Sequence, residues 1–542
     1  MNGARLDAST VRPVTDPYPG RAVTWLAVRQ VRRAAVIVAV LTAGMSAMVA
    51  GTYEHVVGDT LDAAALAALA QNPAVRTLFG APAALDTAGG FTVWRTGTVL
   101  GVLLGVWGIL TATRISRGEE DIGRWSLLLS GRTPVGAIVV RHLAVIVAAL
   151  ACTGLATGAA LTAAGTAPAG AFLHGTGLTL LGSCYAAAGM LSAQVLPSRA
   201  AATGAALALL GANLLTRMAA DGIDAVAWLR WVSPFGLTAL AGPYHADRVA
   251  PLIVLAAATA GLTAAVALAA ARRDVSGSLL TARTGRPPRL RTLRSVPGFA
   301  VRRLLAPLTG WALGIVAYHL LIGLLAMSMT GFLADNPRFA DLAAQAGFGG
   351  LGTVEGYTAT LFALLGIPTG VFCAVRIGAL AADESARRLT LILATPVSRT
   401  RLVGAEAAVT AAGATALAGA AAAAAWLGAH AVTADLGIGS AVAGAVNALP
   451  VAALCLGAAV LALGWLPQAV TFVGVTPAVG GFLLYTLGDS VPAWIRWLSP
   501  FAHLARVPAA APDLPAALAM LGIAATLTVA GVLGHHRRDL RL

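Results

Sequence analysis

Lysine is missing from the sequence: every one of its 37 Lys+Arg positions is arginine. A phosphate-binding P-loop needs a lysine to reach the β- and γ-phosphates. This polypeptide is therefore excluded as a Walker-type ATPase. Charge of either sign is scarce as well. Only 11% of side chains are charged and 58% are hydrophobic, where a soluble domain carries about 25% charge, so water is not the main solvent. Cys152, Cys184, Cys373 and Cys455 all fall in apolar runs without paired spacing, which gives neither a disulfide framework nor a zinc site. The histidines are scattered, only His535 and His536 being adjacent, and there is no HExxH and no nucleophile elbow. No catalytic, metal or cofactor residues are expected in this chain.

What is there is a series of apolar runs, each long enough as a helix to cross a hydrocarbon core about 30 Å thick. They cover roughly 34–51, 92–113, 142–164, 171–193, 200–216, 250–271, 310–330, 358–380, 404–429, 447–466, 469–487 and 515–534. The alanine-rich run 404–429 is the least distinct from a buried soluble helix. The first run does not read as a cleavable signal, because a long segment precedes it and no polar mature domain follows. The expected fold is an all-α polytopic membrane protein with about twelve transmembrane helices.

The net charge of +14 is placed in three segments. Nine arginines against the single acid Asp274 lie in 272–303; Arg5, Arg12, Arg21, Arg29, Arg32 and Arg33 precede the first run; Arg537, Arg538 and Arg541 follow the last. Twelve spans put all three segments on one side, and the positive-inside rule makes it the cytoplasmic side, with both termini there. Arginines beside anionic headgroups account for the charge without nucleic acid.

The chain repeats itself. "WLRWVSPF" at 228–235 returns as "WIRWLSPF" at 494–501, with only aliphatic exchanges. "EDIGRWSLLLS" at 120–130 matches "ESARRLTLILA" at 384–394, Asn72-Pro73 matches Asn336-Pro337, and "RRD" at 272–274 returns at 537–539. These anchors keep one order at nearly one offset. They imply two parallel six-helix repeats, a pseudo-dimer related by an axis along the membrane normal. The expected organisation is 1–33 as a cytoplasmic segment with an interfacial elbow and 34–271 as the first half. A basic linker and second elbow at 272–308, the second half at 309–534 and a cytoplasmic tail at 535–542 follow.

The loops between second and third spans carry the polar signal. One begins with Glu119, Glu120 and Asp121, the other with Asp383 and Glu384; Glu120–Arg124 and Glu384–Arg388 have the favourable i, i+4 order for a helix. Leucines follow, and Pro134 and Pro396 are expected to end each short helix. One such loop alone reads as a solvated helix with a weak ion pair. A matched pair reads as a docking surface for a soluble partner.

"RGEEDIGRWSLLLSGRTPVG" and "ADESARRLTLILATPVSRTR" resemble the cytoplasmic loop of type-2 ABC transporter permeases. The whole chain resembles the fused two-repeat permeases of bacterial drug and polyketide-antibiotic exporters, including the tetronasin-type group. The resemblance implies coupling helices seated on two copies of a separate nucleotide-binding ATPase subunit, which would bind the ATP and Mg. Their contacts would fall on Glu119, Glu120, Asp121, Arg124 and Pro134, and on Asp383, Glu384, Arg387, Arg388, Pro396 and Arg399. The first copy departs from the family pattern at Ser126 and at Arg132-Thr133-Pro134. The cargo implied is a small hydrophobic or amphipathic compound.

"WLAVRQVRR" (25–33) and "FAVRRLLAPLTGW" (299–311) read either as interfacial elbow helices, which the family implies, or as cationic flanks to a span. The octapeptides fall in outer loops, where tryptophan favours the interface and Ser-Pro turns the chain. In the family this place carries re-entrant helices that close the exit, making Trp228, Arg230, Trp231, Pro234 and Phe235, with Trp494, Arg496, Trp497, Pro500 and Phe501, gate candidates. Simple anchoring is the other reading of the tryptophans and arginines. Arg114 and Arg376 are expected to snorkel from span ends. Gly97, Gly101 and Gly105, with Gly366 and Gly370, are spaced for close helix packing. No embedded cluster of acids is readable, which weighs against an ion-coupled secondary transporter, and no constellation of nucleophile and base supports a membrane-embedded enzyme or scaffold.

Overall fold

The structure is a computed structural model. It describes residues 19–53, 76–77, 80–130, 133–274, 277–280, 294–335, 337, 350, 352–486 and 492–538. Asn72, Pro73 and Asn336, the linker residues 281–293 and the tail from 539 lie outside them. The long helices in chain order are α1 (Pro19–Gly51), α2 (Ala88–Thr113), α3 (Val135–Ala163), α4 (Pro168–Val195), α5 (Arg199–Gly222) and α6 (Ala250–Ala271). They continue with α7 (Val296–Asp335), α8 (Val354–Ser385), α9 (Arg399–Ala431), α10 (Ile438–Trp465), α11 (Val470–Tyr485) and α12 (Leu514–Arg537).

All but α5 and α11 are long and apolar enough to cross a membrane, ten among the described residues. The chain is a multi-pass, all-helical membrane protein. The two exceptions coincide with the fifth expected span of each half, 200–216 and 469–487. α5 carries Arg199 and a buried Arg217–Asp221 ion pair at 2.5 Å. α11 would extend only about 24 Å as an ideal helix, and Pro477 sits in a π-helical turn, Thr476–Gly480, within it.

The chain divides into two compact units, one of residues 1–60, 83–214 and 228–282, the other of 61–82, 215–227 and 283–542. In the first unit α1 packs on α3, α2 on α4, α3 on α4 and α4 on α6. In the second the pairs are α7 on α9, α8 on α10, α9 on α10 and α10 on α12. Taken by order within each half, these are the same pairings. Leu104, Ile138, Leu143 and Ile146 fill the first core. The second is built on the alanine face of α9, Ala414, Ala418, Ala421 and Ala425, against Phe362 and Phe372. Small residues let helices approach closely where lipid supplies no hydrophobic drive to associate.

α2 and α8 begin alike. Thr87 Oγ1 accepts the Gly90 N–H and Thr353 Oγ1 the Gly356 N–H, each at 3.0 Å, satisfying a first-turn donor. A Cβ at Gly90 would strike the Ala84 carbonyl, and one at Gly356 the Gly350 carbonyl, so glycine is required where the entering chain folds back. The two stretches read as elbows are continuous with α1 and α7, which run on through them without a break. Trp25 is exposed there, with the Arg29 guanidinium 4.6 Å above its ring.

The glycines spaced for packing do meet neighbours. A Cβ at Gly101 would lie 3.2 Å from Phe235, at Gly105 2.7 Å from Leu210, and at Gly370 2.7 Å from Cys455.

Candidate functional site

The two loops after α2 and α8 fold into matching corners. In the first, α2 runs through a π-helical turn, Arg114–Gly118, into Glu119–Asp121, turns at Gly123 (φ +76°), and forms a short helix, Trp125–Leu128. Trp125 is buried and stacks on His142 of α3, with ring centroids 6.2 Å apart. Leu127, two residues on, is 78% exposed. In the second corner Arg387 takes the turn at φ +58°, Leu389 is buried, and Leu391 on the short helix Thr390–Leu393 is 83% exposed.

The ion pairs differ from those read from spacing, and differ in the same way twice. Arg124 does not reach Glu120; it pairs with Glu119 at 3.2 Å. Arg388 likewise pairs with Asp383 at 3.3 Å rather than with Glu384. The left-handed turn between them breaks the helical register on which the i, i+4 geometry depends.

That frees the second acid of each corner for another partner. Glu120 is buried and takes a two-pronged bond from Arg273, just past the end of α6, at 2.6 and 2.7 Å. Glu384 pairs with Arg538, just past the end of α12. Each corner is thus tied to the arginine that follows the last helix of its own half. Sequence reading treated those arginines as topology signals and repeat anchors, not as partners of the corner acids. Their recurrence beside the corner acids at a common offset was the available clue.

The first knot is the more enclosed. Arg117 adds bonds to Glu120 at 3.3 Å, the Gly277 carbonyl at 2.7 Å and the Pro197 carbonyl at 2.9 Å, and Arg273 also donates to Gln194 at 2.8 Å. Asp121 accepts the Arg199 N–H at 3.1 Å. Pro134 supplies the N-cap position of α3. In the second corner Pro396 is exposed, Ser398 caps α9, and Arg399 donates to the Arg538 carbonyl at 2.8 Å.

A further network ties the second corner to α7. Arg303 pairs with Asp383 at 2.5 Å and with the fully buried Glu406 of α9, which also binds Arg376 at 2.9 Å. Arg376 therefore does not snorkel; it is buried and ion-paired, whereas Arg114 is exposed and donates to the Gln30 carbonyl at 3.0 Å. Glu406 escaped sequence reading. A lone acid within an apolar run is costly unless paired, and that cost was the signal.

Arg387 is the only one of the two turn residues with a side chain to strain. A non-glycine residue in the left-handed region costs about 1–2 kcal/mol, so Arg387→Gly is expected to raise thermal stability slightly and Gly123→Ala to lower it, read as melting temperature in detergent.

The octapeptides also fold alike. Ser233 Oγ accepts the Gly236 N–H and donates to the Asn213 carbonyl at 2.8 Å; Ser499 Oγ accepts the Phe501 N–H and donates to the Gly481 carbonyl at 2.7 Å. Pro234, Phe235, Pro500 and Phe501 are buried. Phe235 packs tilted against Tyr185 with centroids 5.7 Å apart, and Phe501 meets Phe482 edge to face, also at 5.7 Å. Trp228, Trp231, Trp494 and Trp497 are exposed, and Arg230 and Arg496 are half-buried. The motif is a serine–proline–phenylalanine clip that fastens the loop to its own half and turns both tryptophans outward.

Among the described residues, ten helices long and apolar enough to cross a membrane, with the buried carboxylates Glu120, Asp221 and Glu406 each paired to arginine, define a polytopic membrane protein. A family model for the C-terminal domain of the multidrug efflux system permease Rv1217c matches residues 293–536. The chain is also 30% identical over 486 residues, 88% of its length and 87% of the relative's, to the multidrug efflux system permease protein Rv1217c of Mycobacterium tuberculosis. The chain belongs to this family of permeases.

Proposed function

We propose that the chain is the membrane subunit of a type-2 ABC exporter that moves hydrophobic or amphipathic, drug-like compounds out of the cell, akin to the tetronasin-type group. Two six-helix halves, 34–271 and 309–534, form a parallel pseudo-dimer with both termini cytoplasmic. Two copies of a separate ATPase subunit, holding ATP and Mg, dock on the two corners, and their closure rocks the halves between inward- and outward-facing states. The relative's name, a multidrug efflux permease, supports the export reading.

The observation that carries the docking is the exposed leucine on each corner. Leu127 and Leu391 stand 264 residues apart at one structural position, each beside a buried anchor and an outward arginine, Arg124 or Arg388, that is more than half exposed. A lone exposed apolar side chain is ordinary. The same one, presented twice by a turn with the same ion pairs, is what paired identical partners would read. The buried acids Glu406 and Asp221 are both held by arginine, which weighs against either carboxylate as the proton carrier of an ion-coupled transporter.

Because Glu384 holds Arg538, reversing its charge would disturb the fold and the docking together. The cleaner test is Leu127→Asp with Leu391→Asp. Losing two central contacts of an interface is expected to weaken ATPase co-purification by about tenfold or more with the melting temperature unchanged. Undiminished association and ATP-driven dye export in that variant would sink the docking role, and export by the purified chain on a proton gradient alone would replace the ABC reading.

A further inference from the structure

Within the second unit a cavity of about 540 Å³ lies between α9, α10 and α12. Its walls include the alanines Ala411, Ala414, Ala453 and Ala517, with Cys373 and Leu521 also lining it. It exists because these small side chains face one another where α10 is irregular. Pro450 has no N–H to offer the Val446 carbonyl, and the helix turns at Ala448.

We infer that this cavity houses one acyl chain of a membrane phospholipid, entering sideways from the bilayer. No charged side chain lines it. Its two hydrogen-bonding side chains already donate within the protein, Thr415 to the Ala411 carbonyl at 3.1 Å and Asn447 to the Ala505 carbonyl at 2.8 Å. The lining thus favours hydrocarbon over a polar ligand.

The mouth lies between three helices that are each long and apolar enough to span a membrane, with Val446, Leu514 and Leu521 exposed along it. In this proposal the mouth faces bilayer hydrocarbon. The lining on α10 runs from Ala443 to Leu456, about 20 Å of helix. A volume of about 540 Å³ along that length has room for a single extended hydrocarbon chain. Left empty, the walls would forfeit their dispersion contacts.

The end of the cavity nearest a helix terminus is at Val507, Pro512 and Leu514, where the spanning helix α12 begins. Exposed Arg506 precedes Val507 there. This inference rests on the membrane-spanning architecture and not on the ATPase reading, so either can fail alone.

The test uses full-length protein in nanodiscs containing phosphatidylglycerol with a photoreactive diazirine on one chain, followed by peptide mass spectrometry. A diazirine near the carboxyl end should label 507–514, and one at the methyl end should label 411–415 and 456, both several-fold above the lipid-exposed Ile253 and Leu268 of α6. Ala453→Phe with Ala517→Phe should abolish the excess and leave α6 labelling unchanged. Should that variant not fold, the depth pattern in the unmodified protein decides. Labelling no higher than on α6, or independent of diazirine depth, overturns the proposal. So does displacement of the lipid label by an exported dye, which would make the cavity a cargo site.

Discussion

Glu120→Ala is expected to destabilise the first half by about 3–5 kcal/mol, the usual consequence of removing one partner from a buried ion pair. Arg273 and Arg117 would be left in an enclosed site without their carboxylate, and the Glu120 and Arg273 side chains are only 2% and 1% exposed. The matched change, Glu384→Ala, should cost markedly less. Glu384 and Arg538 are 18% and 20% exposed, so water can take over part of the lost interaction. Thermal unfolding in detergent, with each half followed by limited proteolysis, measures both. Replacing the pair together, Glu120→Leu with Arg273→Met, should recover part of the loss because no orphaned charge remains. Equal losses at the two corners would mean that the enclosure of the first knot contributes nothing.

The second large effect is expected at the crossing of α7 and α9. Gly323 and Gly428 meet there backbone to backbone: a Cβ on Gly323 would overlap the Ala425 carbonyl and come within 2.7 Å of the Ala429 nitrogen, and one on Gly428 would overlap the Leu320 carbonyl. Gly428→Leu must therefore part the two helices along the alanine face of α9. Overpacking typically costs about 1–3 kcal/mol where side chains can yield; backbone atoms cannot, so on the order of 3 kcal/mol or more is expected. The variant should show reduced yield and a lower melting temperature, whereas Gly419→Leu, on the open side of the same helix where a Cβ meets nothing within 4 Å, should behave as the parent. Similar stability of the two variants would refute the close crossing.

Hydropathy alone disclosed the spans because a bilayer demands about 20 apolar residues in a row, and ten of the expected runs are helices of that kind. It was less informative for the fifth of each half, where Arg217 and Asp221 neutralise one another inside α5 and where Pro477 interrupts α11. The corners were legible as places but not as contacts. Spacing suggested Glu120–Arg124 and Glu384–Arg388, and no local rule reveals that Gly123 and Arg387 turn left-handed and send those acids to Arg273 and Arg538 instead. The same holds for Arg376, whose partner Glu406 lies on the next helix. The octapeptide was read, as gate or anchor, chiefly through its tryptophans and arginine. Its serine and phenylalanine prove to be the buried parts.

The tie between each corner and the arginine after the last helix of its half has a consequence for the order in which the protein is made. A chain grows from its amino end, so Glu120 leaves the ribosome long before Arg273, and Glu384 long before Arg538. Neither corner can close until the sixth helix of its half has been synthesised and threaded into the bilayer. On the docking proposed above, a partner that recognised only the closed corner would pass over nascent and truncated halves.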